Sequence, residues 1–210
     1  MQTAIRHALV EFTGTLFLVL LTGLAYGSGS MFAPLAIGLG LLALIYLGES
    51  ISGAHYNPAV TLACWIDRRI GHRDAGLYLL GQVLGAIAGA ALVRVLVIDA
   101  AFTYVLRPPD HSTYAQVILA ELLVSFLLSA LYLLAPARGT AMSWLGLAAG
   151  ALTISAIFAM RAISGGVFNP ALGVGPNLLA AQWMPMLLYT LGPLAGATLA
   201  ALAGRYFRGK

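Results

Sequence analysis

The residues of this chain best placed for chemistry lie in two copies of one pattern, at 52–59 and 164–171. Each copy runs Ser-Gly-small, two variable residues and Asn-Pro-Ala, with Asn57 and Asn169 112 residues apart. Asn is a good N-cap and Pro suits the first helical turn, so each tripeptide predicts the start of a helix. The two side-chain amides can also offer N–H groups to a neutral solute oxygen, although either Asn could serve only as a cap.

Two carboxylates and one imidazole are further candidates. Glu11 and Glu121 lie in apolar stretches, where a charge is costly and usually faces the protein interior with a partner. They could relay protons in a transporter, or each could accept hydrogen bonds from the Asn-Pro-Ala loop of its own half. Their equivalent positions favour the second, loop-supporting role. His55 could line a passage, but we favour a role in tying down the first loop.

The composition indicates the environment in which these residues lie. The chain is 60% hydrophobic and 9% charged, against roughly 25% charged residues in soluble domains. Its apolar runs reach the roughly 20 residues that a membrane-spanning helix needs, so it is predicted to be an integral membrane protein. Basic residues at the ends of the runs indicate membrane topology rather than nucleic-acid binding. With one cysteine and no nucleophile–base pair or ligand cluster, we expect no metal, no cofactor and no enzyme.

Hydropathy and turn-forming residues predict an all-α fold with two kinds of apolar segment. Two short segments, about 57–66 and 169–179, each follow an Asn-Pro-Ala and span roughly 15 Å, half of the bilayer core. Such half-helices must be buried in protein or line a cavity, since irregular backbone cannot face lipid. The six full spans are predicted at about 8–27, 32–49, 74–97, 114–134, 140–161 and 183–206. A further short connection is expected at 136–140.

The two halves of the chain repeat. Glu11 corresponds to Glu121 at an offset close to that of the Asn residues, and three spans per half make the second copy inverted. We therefore expect one channel-like domain over 1–210, with repeats at 1–98 and 112–210 and a site at the midplane where the half-helices meet. The glycine ladders also correspond, and we expect them to bring the third and sixth spans together. The ladders are Gly81, Gly85, Gly89 and Gly192, Gly196, Ala200.

Basic residues set the expected orientation. With both termini in the cytoplasm, the inner face carries most of them, in agreement with the positive-inside rule. The localisation expected is a multi-pass position in the cell membrane. The residues expected inside are Arg6, Arg68, Arg69, Arg73, Arg138, Arg205, Arg208 and Lys210.

Several motifs together resemble one family. Glu-Phe-Thr-Gly-Thr at 11–15, Ser-Gly-Ala-His-Tyr-Asn-Pro-Ala-Val-Thr at 52–61 and Gly-Pro-Leu-Ala-Gly-Ala at 192–197 are similar to the major intrinsic proteins, or aquaporins. The resemblance implies six transmembrane helices and two re-entrant half-helices in an inverted repeat. It also implies one pore per subunit, usually in a homotetramer, that passively conducts water, glycerol or other small neutral solutes. Proton exclusion at the paired half-helix dipoles is part of the same expectation.

The resemblance assigns three groups of site residues. The constriction comprises Asn57, Pro58, Ala59, Asn169, Pro170 and Ala171. The outer selectivity filter comprises Ile37, Ile157, Gly166 and Leu172. The pore-lining loop carbonyls are those of Gly53, Ala54, His55, Gly165, Gly166 and Val167.

The outer filter departs from the family pattern. Leu172 stands where the family usually has Arg, Ile157 where water channels have His, and Gly173 where glycerol channels have Asp. A filter without side-chain donors predicts a wide, apolar opening for glycerol, hydrogen peroxide, ammonia or undissociated metalloid acids, with water also possible. Arg161 could lend charge to the mouth, but an interfacial Arg at a helix end is favoured. The alternative function is an ion-coupled secondary transporter that uses Glu11 or Glu121.

Overall fold

The computed structural model describes residues 2–97, 104–135 and 144–209, and these ranges form an all-α protein. The helices, in chain order, are α1 Gln2–Gly27, α2 Ala33–Ser52, α3 Pro58–Ile66, α4 His72–Leu96, α5 Tyr114–Leu134, α6 Leu145–Met160, α7 Pro170–Leu179 and α8 Trp183–Phe207.

The order of full spans and half-helices agrees with the sequence prediction. Among the described residues, five helices are long and apolar enough to cross a membrane, namely α1, α2, α4, α5 and α8. Helix α6 is a shorter apolar helix of 16 residues. The predicted fifth span began at residue 140, so its first positions lie outside the described residues, as does the predicted connection at 136–140. Large apolar side chains such as Leu39, Leu47 and Leu84 face outwards, as lipid contact requires. The chain is a multi-pass integral membrane protein.

The two half-helices begin where the Asn-Pro-Ala pattern predicts. Asn57 is the N-cap of α3 and accepts a hydrogen bond from the Ala59 N–H, and Asn169 caps α7 through the Ala171 N–H in the same way. Proline occupies the first helical position in both, where its missing N–H has no helical partner to lose. Helix α3 packs against α4, α5 and α8, and α7 packs against α4 and α8. Both half-helices are thus enclosed by longer helices.

The glycine ladders join different helices from those expected. A Cβ atom added to Gly85 would lie 2.3 Å from the Phe12 carbonyl oxygen, so α4 packs closely on α1. In the second half, a Cβ on Gly196 would lie 2.2 Å from the Leu122 carbonyl oxygen, so α8 packs on α5. The predicted pairing of the third and sixth spans is wrong. Small residues at four-residue spacing indicate close approach, but they do not specify the partner helix.

Candidate functional site

The two Asn side chains meet across the centre of the protein. The Asn57 amide donates to the Phe168 carbonyl oxygen at 3.1 Å, and the Asn169 amide donates to the Tyr56 carbonyl oxygen at 2.9 Å. Each Asn therefore binds the residue that precedes the other Asn, in addition to capping its own helix. An amide carries two N–H donors, so one on each Asn remains for a solute. Both side chains line the same small cavity.

The loops that lead into the half-helices have strained backbones. Ala54 and Tyr56 have φ of 49° and 47°, and Phe168 has φ of 52°, a region that residues with a Cβ rarely adopt. In the second loop, Gly165 and Gly166 hold the left-handed positions without that strain. Each strained residue costs about 1–3 kcal/mol and persists only where surrounding contacts impose it.

Glu11 supplies those contacts for the first loop. Its Oε1 accepts from the Ser52 hydroxyl at 2.6 Å and from the His55 N–H at 3.0 Å. Its Oε2 accepts from the Tyr56 N–H at 2.7 Å and from the Gln82 amide at 2.8 Å. Glu11 is fully buried, and every partner can act as a donor, which matches an ionised carboxylate.

Glu121 does the same for the second loop. Its Oε1 accepts from the Val167 N–H at 3.1 Å, its Oε2 accepts from the Phe168 N–H, and Ser164 adds a side-chain hydrogen bond. The carboxylate is fully buried. Each of the two carboxylates thus accepts hydrogen bonds from the loop of its own half, which is the geometry that loop support requires.

His55 has contacts that fit both a pore-lining role and a role in holding the first loop. Its Nδ1 lies 3.1 Å from the Thr61 hydroxyl, and its ring meets the rings of Tyr78 and Tyr132 edge-on. The side chain also lines the cavity around Asn57. The equivalent position in the second loop is Val167, so one side of the cavity is more polar than the other.

Sequence reasoning missed a matched pair of tyrosines that brace the loops. The Tyr78 hydroxyl donates to the Ser52 carbonyl at 2.6 Å, and the Tyr189 hydroxyl donates to the Ser164 carbonyl. The two tyrosines are 111 residues apart, close to the offset of the Asn residues. A search for residues repeated at this offset could therefore have identified the pair from the sequence. Both tyrosines are completely buried, so their part is to hold the loops in place.

Two of the predicted pore-lining carbonyls already have protein partners. The Ala54 carbonyl accepts from the Tyr132 hydroxyl at 2.8 Å, and the Gly165 carbonyl accepts from the Tyr26 hydroxyl at 3.3 Å. A carbonyl has two lone pairs, so each keeps one acceptor site. Neither tyrosine was identified from the sequence, because neither lies near an Asn-Pro-Ala motif.

Another unpredicted contact fixes the connection before α5. The Asn177 amide donates to the Leu106 carbonyl at 2.8 Å, while its side-chain oxygen accepts from the Leu106 N–H at 3.2 Å. Asn177 lies in α7 and is fully buried. This pair ties the connection to the second half-helix.

The cavity between the half-helices has a volume of about 30 Å³. A water molecule needs roughly 10–15 Å³ of such space, so solutes of water size fit. Polar groups are few and placed on a largely apolar wall. The lining residues are Leu18, Ile37, Leu41, His55, Asn57, Leu128, Tyr132, Thr153, Val167, Phe168, Asn169 and Leu172.

The four positions that we predict to form the filter lie close together, and none carries a polar side chain. Ile37 and Leu172 line the cavity, and Ile37 packs in one cluster with Ile157 and Phe168. A Cβ added to Gly166 would lie 3.3 Å from the Ile157 Cα, so the glycine brings the second loop against α6. Because Ile37, Ile157 and Leu172 are only 1%, 2% and 6% exposed, the opening in this structure is narrow rather than wide.

Gly173 has a packing reason for departing from the glycerol-channel pattern. A Cβ at this position would lie 2.5 Å from the Tyr189 Cβ, a distance that real atoms do not reach. The position of the Tyr189 Cβ follows from the backbone of α8, so only a shift of the helix could relieve the contact. The bracing tyrosine therefore excludes an Asp side chain here.

Arg161 lies at the C-cap of α6 and lines a second, larger space. This space, which we call the outer chamber, has a volume of about 360 Å³. Its lining includes Arg107 and Arg161, which the predicted orientation puts on the outer side of the membrane. Val167 lines both the outer chamber and the central cavity, so the two spaces are neighbours.

The comparison with protein families agrees with this geometry. The family model described as "Major intrinsic protein" matches residues 1–204. The chain belongs to the major intrinsic protein family. As a member, it is a passive membrane channel for small solutes and not an enzyme.

Relatives match along nearly the whole chain. Glycerol uptake facilitator protein-like 6 of Lactiplantibacillus plantarum is 34% identical, over 95% of this chain and 97% of that protein. Aquaporin TIP1-2 of Zea mays is 30% identical, over 94% of this chain and 84% of that protein. The X-ray structure of the aquaglyceroporin from Plasmodium falciparum superposes with a TM-score of 0.80 at 20% identity, over 95% and 94% of the two chains. This last likeness shows the aquaporin fold.

Proposed function

We propose that small neutral solutes cross this channel between Asn57 and Asn169, through a constriction that includes Pro58, Ala59, Pro170 and Ala171. The observation that carries the proposal is the crossed pair of hydrogen bonds, Asn57 to the Phe168 carbonyl and Asn169 to the Tyr56 carbonyl. These bonds fix both amides at the wall of one cavity with an N–H to spare on each. A neutral solute can therefore exchange water for protein hydrogen bonds without a conformational cycle.

The same site is suited to exclude protons and cations. Each half-helix begins at the cavity, and a helix N-terminus carries roughly half a positive charge. Two such ends on one cavity repel cations. A water molecule that accepts hydrogen bonds from both amides also points its own hydrogens away from the centre. This orientation interrupts proton hopping along a single file of water molecules in the pore.

The solutes proposed are water, glycerol, hydrogen peroxide, ammonia and undissociated metalloid acids. The names of the relatives, a glycerol uptake facilitator and aquaporins, favour water and glycerol among these. The apolar filter favours solutes that lose little hydration, because Ile37, Ile157 and Leu172 offer no hydrogen bonds. The carbonyls of Gly53, Gly166 and His55 are proposed to replace part of that hydration.

The arrangement of Glu11 and Glu121 argues against ion coupling. Each carboxylate is buried and held by donors from its own loop. Protonation of either would place an O–H against an N–H and release a strained loop. A secondary transporter would need a carboxylate that can change its protonation without this cost.

We also propose a cell-membrane location with both termini in the cytoplasm, repeats at 1–98 and 112–210, and a homotetramer. The predicted inner residues Arg69 and Arg208 both contact Asp67, which supports a common face for them. Cysteines added near each terminus should react with an impermeant maleimide only in opened cells. Chemical cross-linking in the membrane should stop at four subunits, and a dimer limit would refute the tetramer.

A flux panel in proteoliposomes tests the central proposal. Light-scattering traces with water, glycerol, hydrogen peroxide and ammonia should show permeabilities well above protein-free vesicles. These permeabilities should not change when a proton or sodium gradient is imposed. Transport that requires such a gradient would refute the channel, and swelling with water but no larger solute would refute the proposed solute range. Asn57→Leu, which removes the amide at similar volume, should reduce the flux of every solute.

A further inference from the structure

The last turn of α1 places a hydroxyl group next to the apolar filter. The ring of Tyr26 packs against the cluster that contains Ile37, Ile157 and Phe168. Its hydroxyl donates to the Gly165 carbonyl at 3.3 Å, in the loop that leads to Asn169. A residue distant in sequence thus reaches the filter and contributes a polar atom that the four filter positions lack.

Tyr26 lies where the outer chamber meets the filter. The chamber includes Tyr26 and Gly165, and it shares Val167 with the central cavity. A solute that moves from the chamber to the constriction therefore passes the tyrosine.

The charged side chains that line the chamber, among the residues that the structure describes, are those of Arg107 and Arg161, and both are basic. Within the part of the chain that the structure describes, the Arg161 guanidinium makes no hydrogen bond or ion pair, and it is exposed. A guanidinium carries five N–H donors. Arg161 therefore has donors available for a solute oxygen.

The Tyr26 hydroxyl supplies a hydrogen-bond acceptor, whereas Arg161 supplies donors. Its hydrogen is directed at Gly165, so its oxygen lone pairs are left to accept. Because Tyr26 and Arg161 line the same chamber, a solute hydroxyl there has an acceptor in the Tyr26 oxygen and donors in the Arg161 guanidinium. Ammonia can use both groups only weakly, since it has a single lone pair and is a poor donor.

We propose that Tyr26, together with Arg161, is a specificity-determining element of the outer filter that selects hydroxylated neutral solutes, namely polyols and undissociated oxyacids. It takes over the donor and acceptor role that a side chain at position 172 cannot fill, because that residue is leucine. This inference rests on the proposed channel function and names the solute class of the same pore.

The test compares glycerol, boric acid, ammonia and water permeabilities of Tyr26→Phe and the wild type in proteoliposomes. Phenylalanine keeps the ring that packs on the filter and removes only the hydroxyl. Loss of one neutral hydrogen bond should lower glycerol and boric acid permeability roughly three- to tenfold. Ammonia permeability should stay within about twofold. Arg161→Gln should shift the ratio in the same direction.

Tyr104→Phe is the matched control. Tyr104 lines the same chamber, but its hydroxyl donates to the Val19 carbonyl at 3.3 Å and the side chain is only 2% exposed. Its replacement should leave the glycerol-to-ammonia ratio unchanged. The ratio, rather than total flux, is the readout, so a lower yield of folded protein does not affect it.

Three outcomes are distinguishable. An unchanged glycerol-to-ammonia ratio in both Tyr26→Phe and Arg161→Gln would overturn the inference while leaving the channel intact. An equal shift in Tyr104→Phe would also overturn it, since any chamber tyrosine would then suffice. A wild-type protein that conducts none of the four solutes would instead refute the proposed function itself.

Discussion

Replacement of Glu121 by Gln is the sharpest test of how the second loop is held. The glutamate accepts from the Val167 and Phe168 N–H groups with its two oxygens. Glutamine has the same shape but only one oxygen, so its NH₂ group must face one of these N–H donors. One hydrogen bond to a charged acceptor is lost, and one buried N–H is left without a partner.

The expected cost follows from these two terms. A hydrogen bond to a charged group contributes about 1.5–3 kcal/mol, and an orphaned buried donor costs about 1–3 kcal/mol. The two overlap, so we expect a loss of roughly 2–4 kcal/mol in the free energy of unfolding. For a chain of this size that is a fall of roughly 5 °C or more in melting temperature.

The assay is thermal unfolding of the purified protein in detergent, followed by flux in proteoliposomes. Glu49→Gln is the control, because it makes the same change at a half-buried site in α2 whose side chain has no hydrogen bond among the described residues. It should melt like the wild type. A Glu121→Gln protein of unchanged stability, whose flux has lost a dependence on the proton gradient, would refute loop support and favour a proton relay.

Three further changes test the packing around the pore. Leu172→Arg places a larger side chain at a site that is only 6% exposed, and it should cut glycerol permeability at least tenfold while water still passes. Light-scattering assays in which glycerol and water permeability fall equally would contradict a selective filter. Gly173→Asp should fail to give folded protein in size-exclusion chromatography, because its Cβ would lie 2.5 Å from that of Tyr189; a well-folded product would show that this site can expand. Asn177→Leu removes both hydrogen bonds to Leu106 and should raise the rate of deuterium exchange at the Leu106 N–H by tenfold or more. Exchange rates at the start of the half-helix, near residue 170, should not change.

Much of the architecture could be predicted because it depends on local chemistry. Asn is a favoured N-cap and Pro is favoured in the first helical turn, so α3 and α7 begin at the predicted residues. Bilayer thickness sets the length of a span, and most basic residues lie near span ends, so the helix order could be predicted from hydropathy. Glu11 and Glu121 were recognised because a buried carboxylate must find donors, and the nearest loop in each half could provide them.

What the sequence by itself determined is therefore the set of elements and the two half-helix starts. Only the tertiary structure decided which surfaces meet. The glycines of α4 and α8 signal close approach to any helix, and the fold directs them to α1 and α5. Tyr26 and Gly165 are 139 residues apart, and no local rule relates them. The crossed amide bonds of Asn57 and Asn169 likewise exist only because two inverted loops meet, since each Asn binds a carbonyl from the other half.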